Sequence, residues 1–113
     1  MQNVYLKTLS KAEIFNHGQN AEPVGDVVGT KLKLVGVHHK TVTTGEGEEK
    51  LLTIIFVDED GEIKSYFSSA RSFFNGLEDV CSIFGSDIEK GGIEITVTKV
   101  ETRNRNTVYV INL

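Results

Sequence analysis

Cysteine and proline are almost missing from this chain of 113 residues, which contains one of each, Cys81 and Pro23, and no tryptophan. A lone cysteine cannot form an intramolecular disulfide, which excludes a disulfide-stabilised scaffold and indicates a reducing compartment, the cytoplasm. With one cysteine no zinc-type ligand set exists, and His17 lies apart from the other two histidines in the N-terminal arm. His38 and His39 cannot share a metal ion, because neighbouring strand residues point to opposite faces. We therefore expect neither a metal ion nor a cofactor.

Long apolar runs are missing as well. A bilayer-spanning helix needs roughly 20 apolar residues, and the first residues contain no signal-peptide core, so we expect no membrane contact. Positive charge is also scarce, because twelve lysines and arginines stand against sixteen acidic residues, for a net charge of −4. Nucleic-acid-binding domains are usually basic, so a DNA interface in this chain requires a local cluster of cations.

The motifs of common enzymes do not occur. The sequence has no Gly-x-Ser-x-Gly, no Walker loop and no Gly-x-Gly-x-x-Gly. The glycine-rich segment Gly45-Glu46-Gly47 is acidic, so it would repel a phosphate group. We therefore expect no enzymatic activity, no catalytic residues and no small-molecule substrate.

Segments rich in β-forming residues make up most of the remaining chain. Five are predicted as strands: residues 31–42, 50–57, 62–68, 93–98 and 108–111. Gly36 interrupts the first strand and predicts a bulge or a sharp bend there. Asp60-Gly61 is typical of a tight hairpin turn between the second and third strands.

One segment has a clear helical period, with an apolar stripe formed by Phe73, Leu77, Val80 and Phe84. Ser68 or Ser69 is a suitable N-cap, and Gly85 is placed to end the helix. Cys81 lies beside the stripe, so we expect its thiol to be buried and inert.

The order of the predicted elements is β-β-β-α-β-β. This order predicts a mainly β protein, a single OB-fold-like five-stranded barrel with one α-helix between strands 3 and 4. The barrel occupies residues 29–113, and residues 1–28 form an N-terminal arm or loop in which Ile14-Phe15 is a short strand. A ferredoxin-like fold needs a helix between its first two strands, and no segment fits that position.

The hairpin of strands two and three carries the strongest candidate for a binding face. Alternation predicts that one face, Leu52, Ile54, Phe56, Ile63 and Phe67, lies in the core. The opposite face then exposes Thr53, Lys64 and Tyr66, and this is the face on which OB-folds bind oligonucleotides. Tyr66 is placed to stack on a base beside Lys64, which contacts a phosphate. The alternative is that Tyr66 is an ordinary cross-strand aromatic residue.

Basic residues extend this candidate surface. Polar donors in the Arg103-Asn104-Arg105-Asn106 turn suit phosphates and base edges, although a plain polar hairpin and a solvated strand face are the alternatives. The complete set of predicted nucleic-acid-binding residues is Lys31, Lys33, His39, Lys40, Thr53, Lys64, Tyr66, Arg103, Arg105 and Tyr109.

Several short segments together resemble a known family over residues 12–113. These are Ile14-Phe15-Asn16 before a Gly/Gln/Asn-rich stretch, Thr53-Ile54-Ile55-Phe56, the Asp60-Gly61 hairpin, Tyr66 with a following serine, and Asn106-Thr107-Val108-Tyr109. Their order and spacing resemble the single-stranded DNA-binding proteins of small tailed bacteriophages that replicate linear genomes by protein priming.

The resemblance implies an OB-fold that coats displaced single strands during replication, without sequence preference and without a cofactor. The stacking role of that family falls here on Tyr66, with Phe15 and Tyr109 as further candidates. RNA and a second copy of the chain are the alternative partners of such a surface. Two alternatives stay open: an OB-fold protein-interaction module, which would be insensitive to salt, and a structural phage protein.

Overall fold

The computed structural model describes residues 3–104 and 106–113. Its strands are β1 (Val4–Tyr5), β2 (Glu22–Pro23), β3 (Lys31–Thr43), β4 (Glu49–Glu59), β5 (Glu62–Ser68), β6 (Ile93–Glu101) and β7 (Thr107–Asn112). Its α-helices are α1 (Lys11–Gln19) and α2 (Arg71–Lys90), and a short 3-10 helix spans Val24–Val27. The five strands predicted from the sequence are therefore β3 to β7. No helix in the described part of the chain is long and apolar enough to cross a membrane.

The strands form one curled sheet with the shape of a half-barrel, in the order β2-β5-β4-β3-β6-β7. β3 is the central strand of the sheet. Along one edge its first residues pair with β6 and its centre pairs with β1, and along the other edge it pairs with β4. The pairing with β4 shifts register between Leu34 and Gly36, which confirms the irregularity predicted at Gly36. A Cβ atom on Gly36 would lie 3.1 Å from the Phe56 ring, so the close packing of these strands favours glycine.

The prediction of a single helix is wrong, because Ile14 and Phe15 lie in α1 rather than in a strand. Ser10 caps this helix. Its hydroxyl accepts a hydrogen bond from the Glu13 amide at 3.1 Å, and the Glu13 carboxylate accepts one from the Ser10 amide at 3.2 Å. This reciprocal pair is the capping box, a Ser-x-x-Glu pattern that the sequence carries and that outweighs the β-preference of Ile14 and Phe15.

The second helix is present where it was predicted, but it is longer. Phe73, Leu77 and Val80 of the predicted apolar stripe are buried, and Phe84 packs partly buried against the same core. Cys81 beside the stripe is buried as predicted. The helix runs past Gly85 to Lys90, because packing of Ile88 against the sheet sustains another turn. Ser68 does not cap it directly, since its hydroxyl instead accepts a hydrogen bond from the amide of Ala70, the N-cap residue.

Both faces of the sheet are covered. The inner face, defined here as the side packed against α2, includes Val37, Ile55, Val57 and Tyr66. The outer face is the opposite side, where Val35, Ile54 and Phe56 are buried under residues of the N-terminal segment, including Tyr5, Leu6, Leu9 and Ile14. The main core therefore lies between the inner face and α2, and a smaller core lies beneath the N-terminal segment.

This arrangement corrects the predicted orientation of the β4–β5 hairpin. The alternation was correct, because Thr53 and Tyr66 share one face and Ile54 and Phe67 share the other. The exposed side was assigned wrongly, since Tyr66 is only 7% exposed and belongs to the main core. The physical reason is that β4 is apolar on both faces, so alternation alone does not show which face meets α2.

Cys81 gives a direct chemical test of the α2 orientation. Burial, and secondarily the carboxylate of Glu78, raises the pKa of its thiol to about 11. Because the thiolate is the reactive form, we expect native protein at about pH 8 to resist a maleimide that labels the denatured chain rapidly. Mass spectrometry of both samples measures the difference, and rapid labelling of the native protein would place Cys81 on the surface.

Candidate functional site

A groove opens on the outer face between α1 and the β3–β4 hairpin. Its cavity of about 430 Å³ is lined by Tyr5, Lys11, Ile14, Phe15, Gly18, Gln19, His38, Lys40 and Ile54. A smaller cavity of about 150 Å³ shares Gly18, Gln19, Lys40 and Ile54 with it and is further lined by Leu52 and Phe67. We call these two adjacent cavities the outer groove.

Strand alternation explains how the β-hairpin contributes to the outer groove. His38 and Lys40 lie on the outer side of β3, opposite Ile54 and Leu52 of β4 respectively. His39 lies between them and points to the inner side. The hairpin therefore supplies one row with the polar side chains of His38 and Lys40 and one apolar row to the same surface.

The N-terminal segment supplies the other wall. The Ser65 hydroxyl of β5 donates a hydrogen bond to the carbonyl of His17, which holds the end of α1 against the sheet. Phe15 of α1 remains 63% exposed although it lines the groove. An exposed phenylalanine ring beside a cavity offers a flat apolar surface to a ligand.

Tyr5, His38 and Phe56 form an aromatic cluster at one end of the groove. The ring centroids of Tyr5 and His38 lie 6.0 Å apart, and those of Tyr5 and Phe56 lie 6.2 Å apart in an edge-to-face arrangement. The Tyr5 hydroxyl hydrogen-bonds to Nδ1 of His38. Burial raises the pKa of Tyr5, so its hydroxyl stays protonated and donates this bond at neutral pH.

His38 is neutral under the same conditions. Burial is the main cause that lowers its pKa below the ordinary value, and the positive charges of His39 and Lys40 lower the pKa further. The neutral ring therefore accepts the hydrogen bond from Tyr5 through Nδ1.

The charge of the outer groove differs from that of the whole protein. Lys11 and Lys40 line it, and none of the described residues around either cavity is a carboxylate. The chain as a whole has sixteen acidic residues and a net charge of −4. The groove is therefore a local basic and aromatic site on an acidic protein.

Of the predicted site residues on β3 to β5, Lys40 alone lines the outer groove. Thr53 is 1% exposed and His39 is buried, both on the inner side, so their predicted exposure is wrong. Lys64 is exposed but forms a salt bridge, in which its Nζ lies 3.1 Å from a carboxylate oxygen of Glu59. Its pKa is raised, chiefly by its hydrogen bond with Glu59.

The other predicted site residues lie away from the groove. Lys31 is exposed, and its Nζ lies 3.7 Å from a carboxylate oxygen of Glu94. Lys33 is exposed on the same strand. Tyr109 is half-buried, with its ring edge-to-face against Phe73. Arg103 is exposed in the β6–β7 turn, and Arg105 lies outside the described residues. The structure thus does not bring the described members of the predicted set together into one surface.

His39 belongs to a buried polar cluster that sequence analysis missed. Its Nε2 lies 2.9 Å from a carboxylate oxygen of Glu78, and its Nδ1 lies 3.3 Å from the Thr53 hydroxyl. The order Thr-His-Glu resembles that of a hydrolase triad, but Thr53 is too deeply buried to reach a substrate. We interpret the cluster as a structural link between the sheet and α2, with the His39 ring packed edge-to-face on Phe74.

Within the described residues, no three His, Cys, Asp or Glu side chains come together in a way that could hold a metal ion. No protein-family model, no curated protein and no solved structure matches this chain. The candidate function therefore depends on the geometry and chemistry of the chain itself.

Sequence analysis missed Tyr5, Lys11, Gln19 and His38 as groove residues. A signal for α1 existed in the Ser10-x-x-Glu13 capping box, and a helix there would have placed Lys11 and Phe15 about one turn apart on one side. No sequence signal identifies the pairing of β1 with β3 that brings Tyr5 to His38, because these residues are 33 positions apart.

Proposed function

We propose that this protein binds single-stranded DNA in the outer groove, without sequence preference. The observation that carries the proposal is the composition of the groove lining. Two lysines, a histidine and the rings of Tyr5 and Phe15 surround an apolar floor that lacks carboxylates among the described residues. Sequence-independent single-strand binding requires this combination of stacking surfaces and cations.

The order of the strands supports an OB-type interpretation of the half-barrel. The segment β5-β4-β3-β6-β7 has the neighbour order of an opened five-stranded OB barrel, with α2 between its third and fourth strands. OB-folds bind oligonucleotides on the face of strands two and three, here β4 and β5. The outer groove lies beside β4 on the side away from the main core, where an OB-fold presents its ligand face.

The groove offers a simple mechanism of binding. Bases stack on the rings of Phe15 and Tyr5, and each stacked base contributes about 1–3 kcal/mol. Lys11 and Lys40 contact phosphates, while Ile54 forms part of an apolar floor. Since every base has an apolar face, this mechanism reads no sequence.

A protein-interaction role is the second candidate. Ile14, Ile54 and the exposed ring of Phe15 also suit an apolar side chain of a partner protein. The two functions differ in their response to salt, because binding to phosphates releases counterions and burial of an apolar side chain does not.

Titration of a labelled oligo-dT strand at several salt concentrations separates the two functions. Each phosphate contact to a single strand contributes about −0.7 to the slope of log affinity against log salt, so Lys11 and Lys40 give about −1.4. The variant Lys11→Gln/Lys40→Gln is expected to lose most of this slope. Lys90→Gln/Lys99→Gln removes the same charge outside the groove and is the matched control. No binding of oligo-dT, or equal slopes in the two variants, would contradict the proposed function.

The resemblance to phage single-stranded DNA-binding proteins supports a role in DNA replication. The single free thiol of Cys81 supports a reducing compartment. We place the protein in phage-type DNA replication, where displaced single strands need coating, and in the host cytoplasm, which keeps thiols reduced.

A further inference from the structure

We propose that His38 is a phosphate-binding residue of the outer groove and takes up a proton when a DNA strand binds. This inference rests on the proposed function and adds regulation by pH to the same site. His38 is an ionisable ring in the groove wall, and its Nδ1 is hydrogen-bonded to the hydroxyl of Tyr5.

The surroundings of His38 disfavour a proton in the free protein. β1 contributes the uncharged hydroxyl of Tyr5, β4 contributes Ile54, and α1 contributes Lys11 to the same groove. From β3 itself, Lys40 lies on the same side as His38, and His39 points to the inner side. No described carboxylate lines the groove to balance a positive ring. The lowered pKa of His38 agrees with this geometry.

A bound strand changes this balance. A phosphate in the groove places a negative charge near the ring, and an opposite charge within about 4–6 Å favours the charged form of a histidine. The hydrogen bond with Tyr5 survives protonation, because a hydroxyl both donates and accepts. Nδ1–H of the charged ring then donates to the Tyr5 oxygen, and Tyr5 keeps its place beside the groove.

The direction of the pH effect follows from linkage. If the complex holds a proton on His38 that the free protein lacks, lowering the pH favours the complex. Affinity therefore increases as the pH falls through the pKa of His38 in the complex, and it levels off below the lower pKa of the free protein. A difference of one pKa unit between the two states gives a gain of about tenfold.

Oligo-dT titrations at constant salt, at about pH 8 and about pH 5.5, test the inference on both sides of the ordinary histidine pKa. Wild-type protein is expected to bind more tightly at the lower pH, by up to about tenfold if the two pKa values differ by one unit. His38→Gln keeps a hydrogen-bonding side chain and is expected to bind with little pH dependence. His17→Gln removes a histidine that does not line the outer groove, so it is expected to behave like the wild type.

The outcomes separate this inference from the proposed function. Equal affinity of the wild type at both pH values would overturn the role of His38 and leave single-strand binding intact. A pH dependence that persists in His38→Gln would also overturn it, and absence of binding at both pH values would overturn both proposals. NMR titration of the His38 ring in the wild-type protein, with and without oligo-dT, needs no variant. The ring pKa is expected to rise on binding, and an unchanged value would refute the inference.

Discussion

Tyr66→Ala is expected to lower the free energy of unfolding by about 3 kcal/mol, at the lower end of the range for removing a buried aromatic ring. The ring is almost fully buried in the main core, where Ile55 and Val57 also lie. In a domain of this size such a loss lowers the melting temperature by on the order of 10 °C, which thermal unfolding measures directly.

Tyr66→Phe measures the contribution of the hydroxyl to stability separately from that of the ring. The hydroxyl donates to a carboxylate oxygen of Glu59 across 3.3 Å, a long hydrogen bond near the surface. We therefore expect this variant to lose no more than about 1 kcal/mol. A Tyr66→Ala protein that melts like the wild type but fails to bind oligo-dT would instead show that the ring is exposed and serves as a stacking platform.

Phe15→Ala is expected to have the opposite profile, with a large effect on binding and little on stability. Loss of one stacked base costs about 1–3 kcal/mol, which corresponds to about 5- to 150-fold in affinity for oligo-dT. Stability changes little because most of the ring is already exposed in the free protein. The melting temperature of the variant is the necessary accompanying measurement.

Ile83→Ala is the matched control for Phe15→Ala. Ile83 is also a large, exposed apolar residue on a helix, but it lies on α2 and does not line the outer groove. It is expected to leave both affinity and stability unchanged. Equal affinities of the two variants would show that Phe15 has no role in binding.

The main features of the sheet are predictable because their signals are local. The irregularity at Gly36 and the turn at Asp60-Gly61 each depend on a few neighbouring residues, and both residues of the turn adopt positive φ. The apolar stripe of α2 is equally local, since its members recur at helical spacing. The end of α2 was predicted too early, because packing of Ile88 against the sheet outweighs the helix-breaking tendency of Gly85.

The side of the sheet that meets the main core is not a local property. Ile54, Ile55, Phe56 and Val57 are all buried, so β4 reads as a continuous apolar run. Which of its faces meets α2 depends on the connection after β5 and on the N-terminal segment that covers the other face. The interpretation of Tyr66 as an exposed ring was wrong for this reason.

The candidate site is harder to predict than the fold, because it is assembled from separate parts of the chain. Lys40 was predicted as a binding residue and does line the groove, and Phe15 was a secondary candidate. Tyr5 and His38 meet through the pairing of β1 with β3, which no periodicity in the sequence indicates. Sequence reasoning therefore identified single residues of the groove but not the groove itself.

Photo-cross-linking measures most directly where a single strand lies on this protein. An oligo-dT strand carrying 5-iodouracil is irradiated with the wild-type protein, and mass spectrometry identifies the attached residue. We expect cross-links to Phe15, Tyr5 or His38, which line the outer groove. Cross-links confined to Tyr109, or to the β6–β7 turn around Arg103, would place the strand elsewhere and contradict the outer groove as the DNA-binding site.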